Sequence, residues 1–139
     1  LADLIGAEAR GRGVAVEVAL PDRPVTVQGD RDALAQVGLN IAVNALEALA
    51  GRPGRLRIAV EADGAAGART GVLVLENDGP PIPEADLERL FDPFHSGRTE
   101  GTGLGLSISA RIVELHGGSI EAANAGPGVR FRVVLPPSL

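Results

Sequence analysis

The 139-residue chain contains no cysteine, methionine, tryptophan or tyrosine, and its only aromatic residues are three phenylalanines. Without cysteine, disulfides, thiolate chemistry and cysteine-type zinc sites are excluded, while the redox compartment stays open. So few aromatics leave no platform for stacking bases, and no basic patch is visible in a chain of net charge −5. Both features argue against nucleic acid and against direct contact with an anionic membrane. They do not exclude an anionic nucleotide, because helix N-termini, backbone amides and a divalent cation hold phosphates without a basic domain. Long apolar runs are also missing. The longest, within Ala33–Ala50, is interrupted by Gln36, Asn40, Asn44 and Glu47, so no membrane span is expected. The chain starts at Leu1 with no basic-then-apolar leader and reads as a piece of something longer.

What is present is a globular composition, 45% hydrophobic and 22% charged, which is enough for one domain over 1–139. The pattern predicts a short helix over Leu1–Gly13, a strand over Val14–Leu20 and a second short strand over Val25–Gln28. Asp30 reads as the N-cap of a long helix that runs to about Ala50 and stops at Gly51 and Pro53. Strands follow over Arg55–Glu61 and Gly71–Glu76, then a short helix over Glu84–Phe91, an aperiodic loop over Asp92–Gly103 and a helix over Leu104–His116. A hairpin of Ser119–Ala123 and Val129–Leu135 closes the chain. This order predicts an α+β, two-layer sandwich: a mixed, largely antiparallel sheet with helices on one face.

The long helix carries the first chemical signal. Between residues 33 and 50 its only polar side chains are Gln36, Asn40, Asn44 and Glu47, which at about 100° per residue fall within an ~80° sector. So narrow a stripe either faces water at the edge of the sandwich or serves a ligand. For a ligand, Asn44 offers a carbonyl oxygen to a hard cation such as Mg²⁺, with Asn40 and Glu47 one turn away to position water or phosphate. Two glycine clusters supply company. Val72–Leu75 is an apolar run ending in Asn77-Asp78-Gly79-Pro80-Pro81-Ile82, a sharp turn that leaves short polar side chains at a strand mouth. Gly101-Thr102-Gly103-Leu104-Gly105-Leu106 lies between a polar loop and a helix start, where backbone amides can approach a phosphate closely.

In combination these segments resemble the catalytic, ATP-binding domain of sensor histidine kinases. Asn40–Ala45 is similar to the N box, Asn77–Ile82 to the first glycine box, Leu90–Phe94 to the F box, and Gly101–Leu106 to the second glycine box. Gly126–Pro136 resembles the closing hairpin, and the match spans nearly the whole chain in the family order. The resemblance implies a Bergerat-type ATP-binding fold of the gyrase, histidine-kinase and mismatch-repair ATPase superfamily. It implies ATP and Mg²⁺, with Asn44 on the metal, Asn40 on phosphate or metal-bound water, and Asn77 accepting from the adenine amine where relatives carry aspartate. Asn77, not Asp78, takes that role because successive strand residues face opposite ways. Glu47, Gly79, Ile82, Gly101, Thr102, Gly103, Leu104, Gly105 and Leu106 would line the nucleotide, and Arg98 would reach the terminal phosphate from a lid over Asp92–Glu100.

Asn40 stands where hydrolysing relatives keep a glutamate, and an amide cannot take a proton from water. That favours phosphoryl transfer to a partner. The implied partners are a histidine-containing dimerisation domain, absent from this chain, and through it a response regulator, in a cytoplasmic setting whether or not the parent is membrane-anchored. Pro81 replaces a glycine of the family pattern, removing an N–H and fixing φ. With Asn77 it leaves open a nucleotide-responsive module without catalysis, and a free-standing ATPase of the same fold is the other alternative. Neither His95 nor His116 resembles the acceptor segment; His116 precedes Gly-Gly at a helix end, where an imidazolium suits the dipole. Phe91 and Phe94 would anchor the lid by packing or meet the acceptor domain.

Overall fold

A computed structural model of the chain describes residues 2–49, 51–63, 70–93 and 105–137, with no side chains described at 2–4. Its elements are α1 (Ala2–Gly11), β1 (Val14–Ala19), α2 (Arg31–Ala48), β2 (Gly54–Asp63), β3 (Thr70–Asn77), α3 (Glu84–Leu87), α4 (Gly105–Leu115), β4 (Ser119–Ala125) and β5 (Gly128–Leu135). The strands form one sheet in the order β1-β2-β3-β5-β4, parallel between β1 and β2 and antiparallel elsewhere. The parallel pair needs a long crossover, which α2 provides. The mixed α+β sandwich expected from the element order is therefore the fold found.

The period-2 pattern of each strand decides which face meets the helices. Val14 of β1, Leu56 and Ile58 of β2, Leu75 of β3 and Val129, Phe131 and Val133 of β5 share one core with Ile5 and Ala9 of α1 and with Val37, Ile41, Ala42, Ala45, Leu46 and Leu49 of and after α2. Leu106 and Val113 of α4 complete it. Among the described residues the opposite face buries a small cluster of Ala59, Val72 and Val74, flanked by Ala19 and Val134, all strand residues. Beside that cluster a charged row crosses the sheet. Glu76 Oε1 lies 3.4 Å from Arg57 Nη1 and 3.7 Å from Arg130 Nε, as the register Arg57–Glu76–Arg130 requires. The aliphatic stems of those arginines shield apolar surface while their heads stay in water.

α2 begins as expected. Asp30 takes an extended conformation and its Oδ1 accepts from the N–H groups of Asp32 (2.9 Å) and Ala33 (3.0 Å), satisfying two donors that the first turn leaves without helical partners. Gly51, at φ +79°, follows the helix end. α2 and α4 pack antiparallel, held at both ends. Asn40 meets the start of α4, and His116, just past its end, accepts the Asp30 N–H through Nε2 at 3.1 Å.

Two expected elements differ. Val25–Gln28 is not a strand; only Val27 pairs, in a single antiparallel bridge to Pro137. Its partner segment is Pro136-Pro137, which has no N–H with which to extend a ladder. These valines instead lie over Gly71, where a Cβ would come within 2.7 Å of Val27 Cγ1. The helix expected over Glu84–Phe91 stops at Leu87. Beyond it, Arg89, Leu90 and Asp92 donate to carbonyls three residues back, a tighter winding with poorer hydrogen-bond geometry. Its N-cap is Pro83, which offers no capping side chain.

Candidate functional site

The polar stripe of α2 is where the sequence pattern places it. Gln36 is exposed, and Asn40, Asn44 and Glu47 are half-buried along one side of a helix whose other sides carry the core. At its two ends this stripe meets the two glycine-rich segments. At the C-terminal end β3 finishes against α2: Asn77 is 7% exposed and its Nδ2 lies 3.5 Å from the carbonyl of Ala45. Gly79 is buried beside it, and a Cβ there would sit 3.2 Å from Leu49 Cδ2 and 3.5 Å from Ala48 O. Toward the N-terminal end, Asn40 Nδ2 donates to the carbonyl of Gly105, the first described residue of the second cluster, at 3.2 Å. From Asn40 to Ala45 and Leu49 is about 8–14 Å along the helix axis, so α2 forms a floor of that span between the two clusters.

The mouth of β3 is set by two short side chains facing opposite ways. Asn77 turns inward, and its Oδ1 accepts from Gly79 N–H at 3.0 Å, closing a local turn. Asp78 turns outward, and its Oδ1 accepts the N–H of Arg55 at 2.7 Å, tying the turn to the start of β2. Asn77 thus directs its NH₂ group into α2 and keeps a second lone pair on Oδ1.

The following run, Pro80-Pro81-Ile82-Pro83, has a single backbone donor, the N–H of Ile82. Asn124 of β4 takes it: Oδ1 accepts from Ile82 N–H and Nδ2 donates to Ile82 O, both at 2.8 Å. One side chain thereby imitates a strand partner for a segment that prolines bar from pairing. Gly128 completes the frame. A Cβ there would collide with the backbone of Asn77, 2.7 Å from its carbonyl carbon and nearer still to its oxygen, so glycine is needed for close approach.

Other expected site residues are less directly exposed. Leu106 is 7% exposed within the core, so any part it takes in ligand binding goes through its backbone. Ile82 packs partly against the same core. Phe91 meets Phe131 edge to face, centroids 6.4 Å apart, which fixes the entrance to the segment before α4. Phe94, His95, Arg98, Gly101, Thr102, Gly103 and Leu104, with the lid beyond Pro93, lie outside the described residues. At the end of α4, His116 Nε2 lies 3.1 Å from the backbone nitrogen of Asp30 and Nδ1 lies 2.7 Å from Ile112 O, so the ring bridges α4 to the cap of α2.

Three residues that sequence reasoning passed over frame this site: Ser109, Asn124 and Gly128. Ser109 is fully buried on the apolar side of α4 with Leu106 and Val113, and a polar residue at that spacing was the signal available. For Asn124 and Gly128 the sequence shows only a hairpin turn.

Among the described residues no group of three or more histidine, aspartate and glutamate side chains could hold a metal alone. The half-buried oxygen donors of Asn44 and Glu47 suit a hard cation that takes most of its shell from phosphates and waters, which is how Mg²⁺ usually binds nucleotides. The donor set therefore fits a metal carried in on a ligand.

Comparison with known proteins identifies the family. The pattern of the histidine kinase-, DNA gyrase B-, and HSP90-like ATPases matches residues 29–139, and the chain belongs to that family. It is 39% identical over 137 residues to the two-component sensor PprA of Pseudomonas aeruginosa, covering 96% of this chain and 15% of PprA. It is 36% identical over 138 residues to the sensor histidine kinase ZraS of Escherichia coli O157:H7, covering 98% of this chain and 29% of ZraS. The chain thus spans less than a third of each of these two relatives. Among solved structures, the nucleotide-free catalytic domain of histidine kinase ThkA superposes with a TM-score of 0.86 at 35% identity, covering 98% of this chain and 87% of that one. ThkA in complex with the response regulator TrrA superposes at 0.81 and 31% identity, covering 99% and 38%. Within the family, the chain is a catalytic, ATP-binding domain of the two-component sensor histidine kinase type.

Proposed function

We propose that this domain binds ATP with Mg²⁺ along the floor of α2 and passes the γ-phosphoryl group to a histidine on a separate dimerisation domain of its parent protein. The observation that supports it is the half-buried stripe of Asn40, Asn44 and Glu47 running between the Asn77–Gly79 turn and the start of α4. Asn77 and Gly79 take the adenine end, and Asn44 offers its carbonyl oxygen to the metal. The metal, when bound, neutralises charge on the phosphates. Transfer breaks the bond between the γ-phosphorus and its bridging oxygen, releases ADP and forms a phosphorus–nitrogen bond on the acceptor imidazole. Asn40 orients but removes no proton, which disfavours water as the acceptor. Arg98 would approach the terminal phosphate, and Gly101–Leu106 would supply backbone amides to it.

As with ThkA, which has been crystallised with a response regulator, the parent protein would hand the group on to such a partner. Among the described residues no helix is long and apolar enough to cross a membrane, and we place the domain on the cytoplasmic side. The test is to mix the domain with a histidine-bearing dimerisation fragment and γ-labelled ATP. Labelled fragment is the expected product; nucleotide binding without transfer would sink the catalytic reading. A second reading, a nucleotide-responsive module without catalysis, is favoured by one observation. Asn77 Oδ1 already accepts from Gly79 N–H, and its remaining bond to adenine would lack charge assistance. Calorimetry with ATP and Mg²⁺ separates the two, since affinity weaker than about millimolar marks the degenerate module.

A further inference from the structure

We infer that Ser109 is a positioning residue for Asn40, holding its carboxamide with the nitrogen toward α4 and the carbonyl oxygen outward. The inference rests on the functional reading above and assigns Asn40 one of the two contacts open to it. Ser109 is completely buried, on the stripe of α4 that otherwise carries Leu106 and Val113. A hydroxyl in that position needs a partner, and its own helix provides one: Oγ donates to the carbonyl of Gly105, one turn back, at 2.9 Å. With its proton committed there, Oγ can act toward other groups only as an acceptor. Asn40 Nδ2 lies 3.2 Å from Ser109 Oγ and 3.2 Å from Gly105 O.

The amide of Asn40 therefore faces two acceptors. Rotating it by half a turn would press Oδ1 against two oxygens with no proton between them, so its orientation is fixed. Oδ1 points away from α4 and accepts from Gln36 Nε2 at 2.6 Å, with a second lone pair remaining. Asn40 then meets a Mg²⁺–nucleotide through its oxygen, as the acceptor of a metal-bound water. Gly105 O alone would leave a single acceptor to hold the amide, and Ser109 makes the preference strong. The same contacts pin the first turn of α4, in which the second glycine cluster ends, to the stripe of α2.

The test is Ser109→Ala, which removes the second acceptor without adding bulk. The side-chain amide signals of Asn40, assigned by their loss in Asn40→Ser, are followed by NMR in the nucleotide-free domain. Their solvent exchange should quicken about fivefold, the weight of one neutral hydrogen bond. In parallel, calorimetry should show Mg²⁺–ATP binding about fivefold weaker, with metal-free ADP changed by less than about twofold. Unchanged Asn40 amide signals would overturn the positioning role. So would equal losses for Mg²⁺–ATP and metal-free ADP, because a merely structural serine disturbs both alike. Failure of the functional reading is seen separately: the wild-type domain would not bind Mg²⁺–ATP at all.

Discussion

Replacing Gly128 by alanine should damage both the sheet and the site, and the geometry fixes the size of the effect. A Cβ at this position would lie 2.7 Å from the Asn77 carbonyl carbon and 2.8 Å from Asp78 Cα, whereas ordinary contact begins at 3.4 Å. The obstacle is paired backbone, since Asn77 faces Val129 in the β3–β5 register, and no side-chain rotation can relieve it. The Asn77 carbonyl carbon alone would require the strands to part by about 0.7 Å, and its oxygen, closer still, by more, an overpacking that falls toward the upper part of the usual ~1–3 kcal/mol. The loss of unfolded-chain entropy on replacing glycine returns about 0.4–1 kcal/mol, leaving a net destabilisation of about 2 kcal/mol. For a domain of this size that lowers Tm by about 6–8 °C, read by circular dichroism or calorimetry. Because the displaced atoms are those of Asn77, nucleotide affinity should fall in the same variant at temperatures where it is fully folded. Gly11→Ala is the control. A Cβ there meets nothing within 4 Å at the end of α1, so it should leave Tm unchanged or raise it. A Gly128→Ala domain that melts with the wild type would refute the reasoning.

Further outcomes follow from single contacts. Asp30→Ala removes the acceptor of two N–H groups at the start of α2 and should destabilise the domain by about 1–2 kcal/mol in urea titrations, with Asp30→Asn recovering most of it. Asn124→Ala frees the Ile82 segment and should weaken ATP binding more than it lowers Tm. In Asn124→Asp the carboxylate keeps the bond from Ile82 N–H but opposes Ile82 O, so an affinity no lower than wild type would contradict the clamp. Asn44→Ala should abolish the gain in ATP affinity that Mg²⁺ confers while sparing metal-free binding; calorimetry with and without the cation reads this directly, and a retained gain would remove Asn44 from the metal.

Much of the fold was legible because local and tertiary signals agree. The cap at Asp30, the apolar wrap of α2 and the stop after Leu49 are encoded within one stretch of chain, and so is the doubly apolar β3. Val25–Gln28 misled because its β-branched residues are read without their partner, and the partner turns out to be a pair of prolines more than a hundred residues away. The C-terminal half of the expected helix over Glu84–Phe91 winds more tightly where Leu90 and Phe91 pack against the core, a tertiary contact that periodicity does not report. At the site, the polar stripe could be recognised from spacing alone, and the inward turn of Asn77 from strand alternation. Asn124 and Gly128 could not, because each acts through backbone brought near by the fold, the Ile82 peptide and the Asn77 carbonyl; Ser109 showed only as a polar residue on an apolar helix face, with its distant partner Asn40 unannounced. Sequence periodicity reports which way a side chain faces, but not whose backbone it will meet.

The double fastening of α4 bears on how this domain can diversify. Phe91 is seated on Phe131, and α4 is tied to α2 by Asn40 at one end and His116 at the other. The two anchor points of the stretch 94–104 are therefore set by contacts that the stretch itself does not make. Inserting or deleting residues between them should change loop-closure entropy only slowly with length and leave the floor of α2 untouched. Selection could then vary the length and sequence of that stretch outside Arg98 and Gly101–Leu104 while the floor of α2 is inherited unchanged.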